Sequence, residues 1–333
     1  MENNNLNQSQ NMNNKTDIPP KKKKRKTKYI VALIILIAGI LLVVVGSVLM
    51  PMSDFSGYER EDILKDFSEY NDIVEGVSID SVFSEIKVQK GDNLKVECSN
   101  AITEFLDIEY KGDNTLSVNI GVEKSKVWFF NTSVFPVIGF NNSFGEIVIT
   151  VPEKALKNVK IESVFGSCKV NDINAENLKV ENVFGETILS DTSSEQAKIE
   201  NTFGKMSFEN CMINELKAEN AFGEIELNKC EILGDSKIEV SFGDIKANLY
   251  GDSDNYDYDF DVAFGSGSVN GKKPEHFNNR YGNIKLDVEV AFGDAKFNFS
   301  DRVNPQNLTD NLPNSDSDAS EDVTDSSGNV IVP

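Results

Sequence analysis

One phrase, repeated at fixed spacing, limits what this chain can fold into. LKVENVFGE, AKIENTFGK and LKAENAFGE follow one another nineteen residues apart. Their shared Phe-Gly pair stands at Phe144–Gly145, Phe165–Gly166, Phe184–Gly185, Phe203–Gly204, Phe222–Gly223, Phe242–Gly243, Phe264–Gly265 and Phe292–Gly293. The intervals are 21, 19, 19, 19, 20, 22 and 28 residues, the longest holding a degenerate copy at Tyr281–Gly282. A period near twenty residues is the mark of a stacked array. It predicts about eight coils.

Within a copy the residues alternate. Asn182, Val180 and Leu178 stand two, four and six places before the Phe, and Lys179 and Glu181 fill the gaps. Period-2 alternation marks a strand with one buried and one wet face. The Gly permits a positive φ at a corner. Apolar residues then resume, as Met206 with Phe208 and Ile225 with Leu227, and a third short pair follows, as Cys211 with Ile213. No copy can bury its own inward face, so coils must stack at roughly 4.8 Å in columns of like residues. The fold expected is an all-β, single-domain β-solenoid with the Phe column as its spine. Asn182, Asn201 and Asn220 share the inward parity and are expected to form a ladder of amides bonded to one another, because a buried Asn without a partner is costly. An antiparallel sandwich also uses short strands with frequent turns, but register identity across consecutive copies favours stacking.

The N-terminal portion is of another kind. Residues 1–28 are rich in Asn and Gln and end in the basic run KKKKRKTK. They are expected to be a disordered cytoplasmic arm. Tyr29 to Met50 is a run of 22 residues without a charge, enough helix to cross a hydrocarbon core. It is longer than the apolar core of a signal peptide, so an uncleaved signal-anchor helix is expected, with one span of the plasma membrane. Basic residues before it and Asp54, Glu59, Glu61 and Asp62 after it place the N-terminus inside and the rest outside. The basic run then serves topology rather than nucleic acid. Beyond residue 28 the chain carries 25 basic and 52 acidic residues, a net of −27, which disfavours binding to an anionic polymer.

Residues 51–75 read as a stalk or short helix, and 76–300 as the solenoid. Within it 76–143 form an irregular N-terminal cap and 144–300 the Phe-Gly repeats. In the cap, Val82–Phe83–Ser84 resembles a first repeat, and hairpin turns are expected at Gly91-Asp92-Asn93 and Gly112-Asp113-Asn114. Lys126 to Phe140, with the only Trp (Trp128), is the most apolar stretch outside the membrane run and is expected to be buried. Residues 301–333 read as a disordered acidic tail.

IVITVPEKALKNVKIESVFGSCKV, followed by strands that end in Phe-Gly and an acid, resembles a bacterial family of candidate adhesins built from β-strand repeats. That family is common in Gram-positive genomes, includes LiaG-like proteins, and is similar to the C-terminal domains of LiaF-like envelope-stress proteins. The resemblance covers about Val77 to Ser300. It implies a membrane-anchored extracytoplasmic solenoid tied to envelope stress, antibiotic response or surface contact, and brings no catalytic residues. The regular Phe-Gly pair and the long Asn-rich arm depart from the usual pattern.

The outward positions form columns too. Glu162, Glu181, Glu200, Glu219, Glu239, Asp261 and Glu289 stand three places before each Phe; Lys160, Lys179, Lys198, Lys217 and Lys237, then Asp259 and Asp287, stand five before. A solvated face accounts for them, at about 0–1 kcal/mol per pair; a flat partner-docking surface is the functional reading. Asp252, Asp254, Asp257, Asp259 and Asp261 form the only candidate Ca²⁺ cluster, without the EF-hand pattern. Cys211 and Cys230 occupy one place on adjacent copies and are expected as reduced core residues, since stacked side chains suit a disulfide poorly. With one His (His276) and only Arg60, Arg280 and Arg302 beyond the arm, no enzyme and no cofactor are expected. Two functions remain: a regulatory protein that senses envelope stress through a membrane or envelope partner, and a surface adhesin or self-assembling scaffold.

Overall fold

The computed structural model describes residues 58–121, 145–272 and 282–301. The leading strands are β1 (Arg60–Asp66), β2 (Gly76–Phe83), β3 (Glu85–Lys90), β4 (Lys95–Ile102), β5 (Leu106–Tyr110), β6 (Thr115–Ile120) and β7 (Glu146–Val151). The regular copies give β8 (Ala155–Phe165), β9 (Cys168–Asn171), β10 (Asn174–Phe184), β11 (Thr187–Ser190), β12 (Ser193–Phe203), β13 (Met206–Glu209), β14 (Met212–Phe222), β15 (Ile225–Ile232), β16 (Ser236–Phe242) and β17 (Ile245–Tyr250). The last four are β18 (Tyr256–Phe264), β19 (Gly267–Val269), β20 (Ile284–Phe292) and β21 (Ala295–Ser300).

These strands build an all-β solenoid. The inner copies pair in parallel and in register with the copy nineteen residues on, Val180 facing Ile199 and Phe184 facing Phe203. In an inner coil a long strand ends at Phe-Gly, a short strand follows, and a second corner turns at a residue in the left-handed region: Asp172, Asp191, Asn210 or Lys229. The in/out alternation of the long strand skips a step at Glu176 and Asn177, which are both exposed. The inward residues Leu178, Val180, Ile199, Leu189, Phe208 and Leu227 are almost fully buried. Stacking thus supplies the burial that a single copy lacks.

Spatial order departs from chain order at both ends. The long-strand stack runs β6, β2, β8, β10, β12, β14, β16, β20, β18. The short-strand stack runs β7, β3, β9, β11, β13, β15, β17, β21, β19. That makes nine coils among the described residues, against about eight expected. The β2–β3 coil lies between β6–β7 and β8–β9, and the β20–β21 coil lies between β16–β17 and β18–β19. At the N-terminal end β5 adds antiparallel to β6, β4 to β7 and β1 to β4.

Several expectations change here. Residues 60–66 are strand β1 rather than stalk or helix, recruited as an edge strand by β4. The cap is not only irregular, since Phe83 closes a regular coil and stacks on Phe165. Gly282 is no repeat corner: it packs against Asn255 and Tyr256, at the opposite end of β18 from Phe264. The expected membrane run 29–50, the arm, the apolar stretch 126–140, Phe144, Tyr281, His276 and the acidic tail lie outside the described residues. Among the described residues no helix is long and apolar enough to cross a membrane.

Candidate functional surface

The Phe-Gly corner departs most from the expected parity. Strand parity places the Phe inward, yet the phenyls of the inner coils are half-buried and those of Phe292 and Phe264 are 39% and 66% exposed. Parity holds only while the backbone is extended, and here the chain is already turning. Gly185 has φ 146° and Gly204 φ 133°, and the turn swings the ring off the core onto the corner. The Phe column is therefore a ridge, and the buried spine is the aliphatic and Phe208 column beside it.

Along this ridge the rings stack almost plane to plane. The order is Phe83, Phe165, Phe184, Phe203, Phe222, Phe242, Phe292, Phe264, with centroids 4.7–5.0 Å apart and interplanar angles of 1–6°. Strand spacing fixes the interval, and each ring pair adds about 0.5–1.5 kcal/mol beyond burial.

The glycines are required by contact as well as by φ. A Cβ at Gly204 would stand 2.1 Å from the Gly185 carbonyl oxygen of the preceding coil. The corner is held by bonds between coils: Gly185 N–H donates to Phe203 O at 3.0 Å, and Thr187 N–H to Lys205 O at 2.9 Å.

Asn182, Asn201 and Asn220 are buried and stacked, but their amides do not bond one another. Each Nδ2 donates to the glycine carbonyl of the preceding coil: Asn182 to Gly166 at 3.0 Å, Asn201 to Gly185 at 3.1 Å and Asn220 to Gly204 at 2.9 Å. Asn182 and Asn220 also reach the carbonyls of Glu186 and Glu224 in their own coils. The nearer acceptor is the corner backbone, so the amides clip the corner and leave each Oδ1 without a protein partner.

On the long-strand face the charges form a staircase. Lys179 bonds Glu181 at 2.7 Å and reaches Glu162 of the coil before at 3.7 Å; Lys198 and Lys217 repeat the pattern. Lys237 pairs with Glu239 and with Glu289. Burial, opposed by Lys237 but reinforced by the neighbouring Glu219 and Glu289, pushes the Glu239 carboxyl up to about 7. A shallow groove on this face is lined by Lys179, Lys198, Lys217, Gln196 and Glu215.

The expected Ca²⁺ cluster is not assembled. Asp257, Asp259 and Asp261 lie in a row along β18 at every second residue, about 6.6–6.8 Å apart at Cα, rather than around a shared centre. Asp252 instead caps a short turn by accepting from Asp254 N–H at 3.0 Å. Among the described residues no three His, Cys, Asp or Glu side chains could hold a metal. All four cysteines are buried free thiols. Burial pushes Cys168 up to about 12, and Cys211 and Cys230 hydrogen-bond to backbone carbonyls.

Parallel coils stacked in register, with columns of like residues along their outward faces, define a β-solenoid. Residues 74–332 match the family described as Toastrack DUF4097, and the chain belongs to that family. Among solved structures it is similar to a candidate adhesin from Bacteroides fragilis, at 16% identity over 72% of this chain and 98% of that one, with a TM-score of 0.39. It is also similar to a candidate cell adhesion protein from Clostridium sporogenes, at 12% identity over 73% and 100% and a TM-score of 0.33. A third, a candidate lipid-binding protein from Parabacteroides distasonis, gives 14% identity over 75% and 100% and a TM-score of 0.35. Comparison with curated proteins gives no match.

Proposed function

We propose that this protein is a non-catalytic, membrane-anchored extracytoplasmic solenoid that works by contact, meeting a membrane or envelope protein during envelope stress. What carries the reading is the order of parts: a basic arm, an uncharged run from Tyr29 to Met50, and then a solenoid whose chemistry lies on its outward columns. The helix holds the N-terminus in the cytoplasm and sets the solenoid against the outer membrane surface. LiaG-like membership and a role beside LiaF-like proteins belong to the same proposal. The test is crosslinking of the full-length protein in intact membranes, with and without a wall-active antibiotic. Capture of a histidine kinase or other membrane regulator, in an amount that changes with the antibiotic, is expected. Capture of only the protein itself or of wall polymer would overturn it in favour of an adhesin or self-assembling scaffold.

A further inference from the structure

We propose that the phenyl ridge is a docking surface for a basic amphipathic helix of a partner polypeptide. This deepens the contact reading by naming the partner's chemistry, and it needs neither the membrane anchor nor the stress response.

The ridge is apolar and long, half-buried along its middle and open at Phe292 and Phe264. Eight stacked rings at about 4.9 Å make a stripe of roughly 34 Å. Beside it runs a column of small or β-branched residues, Val164, Val183, Thr202 and Ala221 among them, all half-exposed. A continuous apolar stripe on a chain this charged marks an interaction surface more often than a solvated one.

Charge decides what the stripe can take. On the long-strand side the nearest outward column is acidic from Asp80 through Glu181 and Glu200 to Asp261, and among the described coils only the terminal β6 coil breaks it, with Asn119. On the short-strand side the first column after the glycine holds Glu85, Glu146, Glu186, Glu224, Asp244 and Asp294, with Lys205 its one base and Ser167 and Ser266 its neutral members. The lysines that answer these acids lie one column further out on either side. An apolar ridge between two acidic rails repels an anionic lipid surface, and it repels a second copy of itself laid ridge to ridge. It suits a segment with apolar residues along its centre and Lys or Arg at both flanks, whose stems lie along the phenyls while their heads reach the rails.

Spacing favours a helix over a strand. A helix presents one apolar contact per turn of about 5.4 Å, close to the ring interval, and drifts by half an interval only after about five turns. A strand presents like-facing residues every 6.6–6.8 Å or so and is out of step within two rings. The whole ridge matches about 23 residues of helix.

The test uses the full-length protein in nanodiscs of zwitterionic lipid and a fluorescent 23-residue Leu/Lys amphipathic helix, read by anisotropy against empty nanodiscs. Saturable binding is expected, with none for the same helix carrying Glu for Lys. Phe203→Ala and Phe264→Ser should each weaken binding at least about tenfold, which is about 1.4 kcal/mol. Circular dichroism checks that the solenoid stays folded. Phe264 stacks only at the end of the ridge and is the most exposed ring, so it reports even if the inner variant unfolds. Glu186→Lys, on an exposed rail, should weaken binding as well. Binding that survives the Phe variants and falls only with Glu186→Lys would reduce the effect to bulk electrostatics and overturn the proposal. Equal binding of the Glu helix, or a ridge-dependent dimer in sedimentation, would overturn it too. Failure here leaves the membrane crosslinking result standing, and the reverse also holds.

Discussion

Gly204 and Lys229 sit at the two corners that every inner coil must turn, and they pull in opposite directions. Gly204 has φ 133° and would bring a Cβ within 2.1 Å of a neighbouring carbonyl oxygen. Gly204→Ala is expected to cost about 2–4 kcal/mol by denaturant unfolding, while Gly112→Ala, with nothing within 4 Å of its added Cβ, should cost under about 1 kcal/mol. Equal effects would remove close approach as the reason for the glycine. Lys229 is the strained member of the other corner column, at φ 54° where the preceding copies carry Asp172, Asp191 and Asn210. Asn tolerates that region better than Lys, so Lys229→Asn should raise stability by about 0.5–1 kcal/mol, and a lowered unfolding midpoint would refute the strain argument. The Phe-Gly corner was legible as a fixed position in the repeat, whereas the second corner, at Asp172, Asp191, Asn210 and Lys229, emerges only from the backbone. What the sequence concealed was where a corner side chain points, because alternation describes extended backbone and says nothing once the chain turns. For the same reason Phe184 reads as core and stands as ridge. Asn201 reads as an amide ladder and instead clips a backbone carbonyl, the nearer acceptor being invisible until the glycine column is in place.

At the scale of the strand, each long strand carries its own Lys–Glu step, and the step changes at β16. Glu219 on β14 and Glu239 on β16 face each other in register. Burial pushes the Glu219 carboxyl up, but its hydrogen bonds to Lys217 and Glu239 and the charges of Lys217 and Lys237 outweigh this and leave it lowered. Glu239 is raised to about 7. A carboxyl whose folded value lies above its unfolded one stabilises the fold fully below about pH 4.5 and loses that contribution as pH rises through about 7. Glu239→Gln, which keeps the neutral form, should therefore gain stability relative to the native protein between pH 5 and pH 8. A difference that stays flat over that range would show that Glu239 ionises normally. The columns themselves were readable, since Lys and Glu recur at fixed distance from each Phe. The end strands were less so. Strand β1 shows only Ile63 and Leu64 as apolar signal, and it is a strand because β4 offers an open edge.

Over the whole molecule, the array was written in the repeat but the order of its ends was not. The β18–β19 and β20–β21 coils both carry Phe-Gly, so nothing in either phrase says which lies outermost. Only the longer intervals of 22 and 28 residues hint at a detour. The arrangement has a measurable consequence. A chain stopped after Asn270 keeps β18–β19 but removes β20–β21, the coil to which they are bonded, whereas one stopped after Tyr250 ends cleanly at β16–β17. Residues 256–269 of the longer variant should lose hydrogen-exchange protection, and the shorter variant should be no less stable. Protection retained over 256–269 would mean that the outer coil can slide down into the vacant place. The same order bears on load. Strand β21 is bonded to β17 on one side and to β19 on the other. Tension applied to the chain beyond Ser300 therefore works against two rows of hydrogen bonds at once instead of peeling a free edge, and a protein tethered at one end and gripped at the other would yield last where an ordinary solenoid frays first.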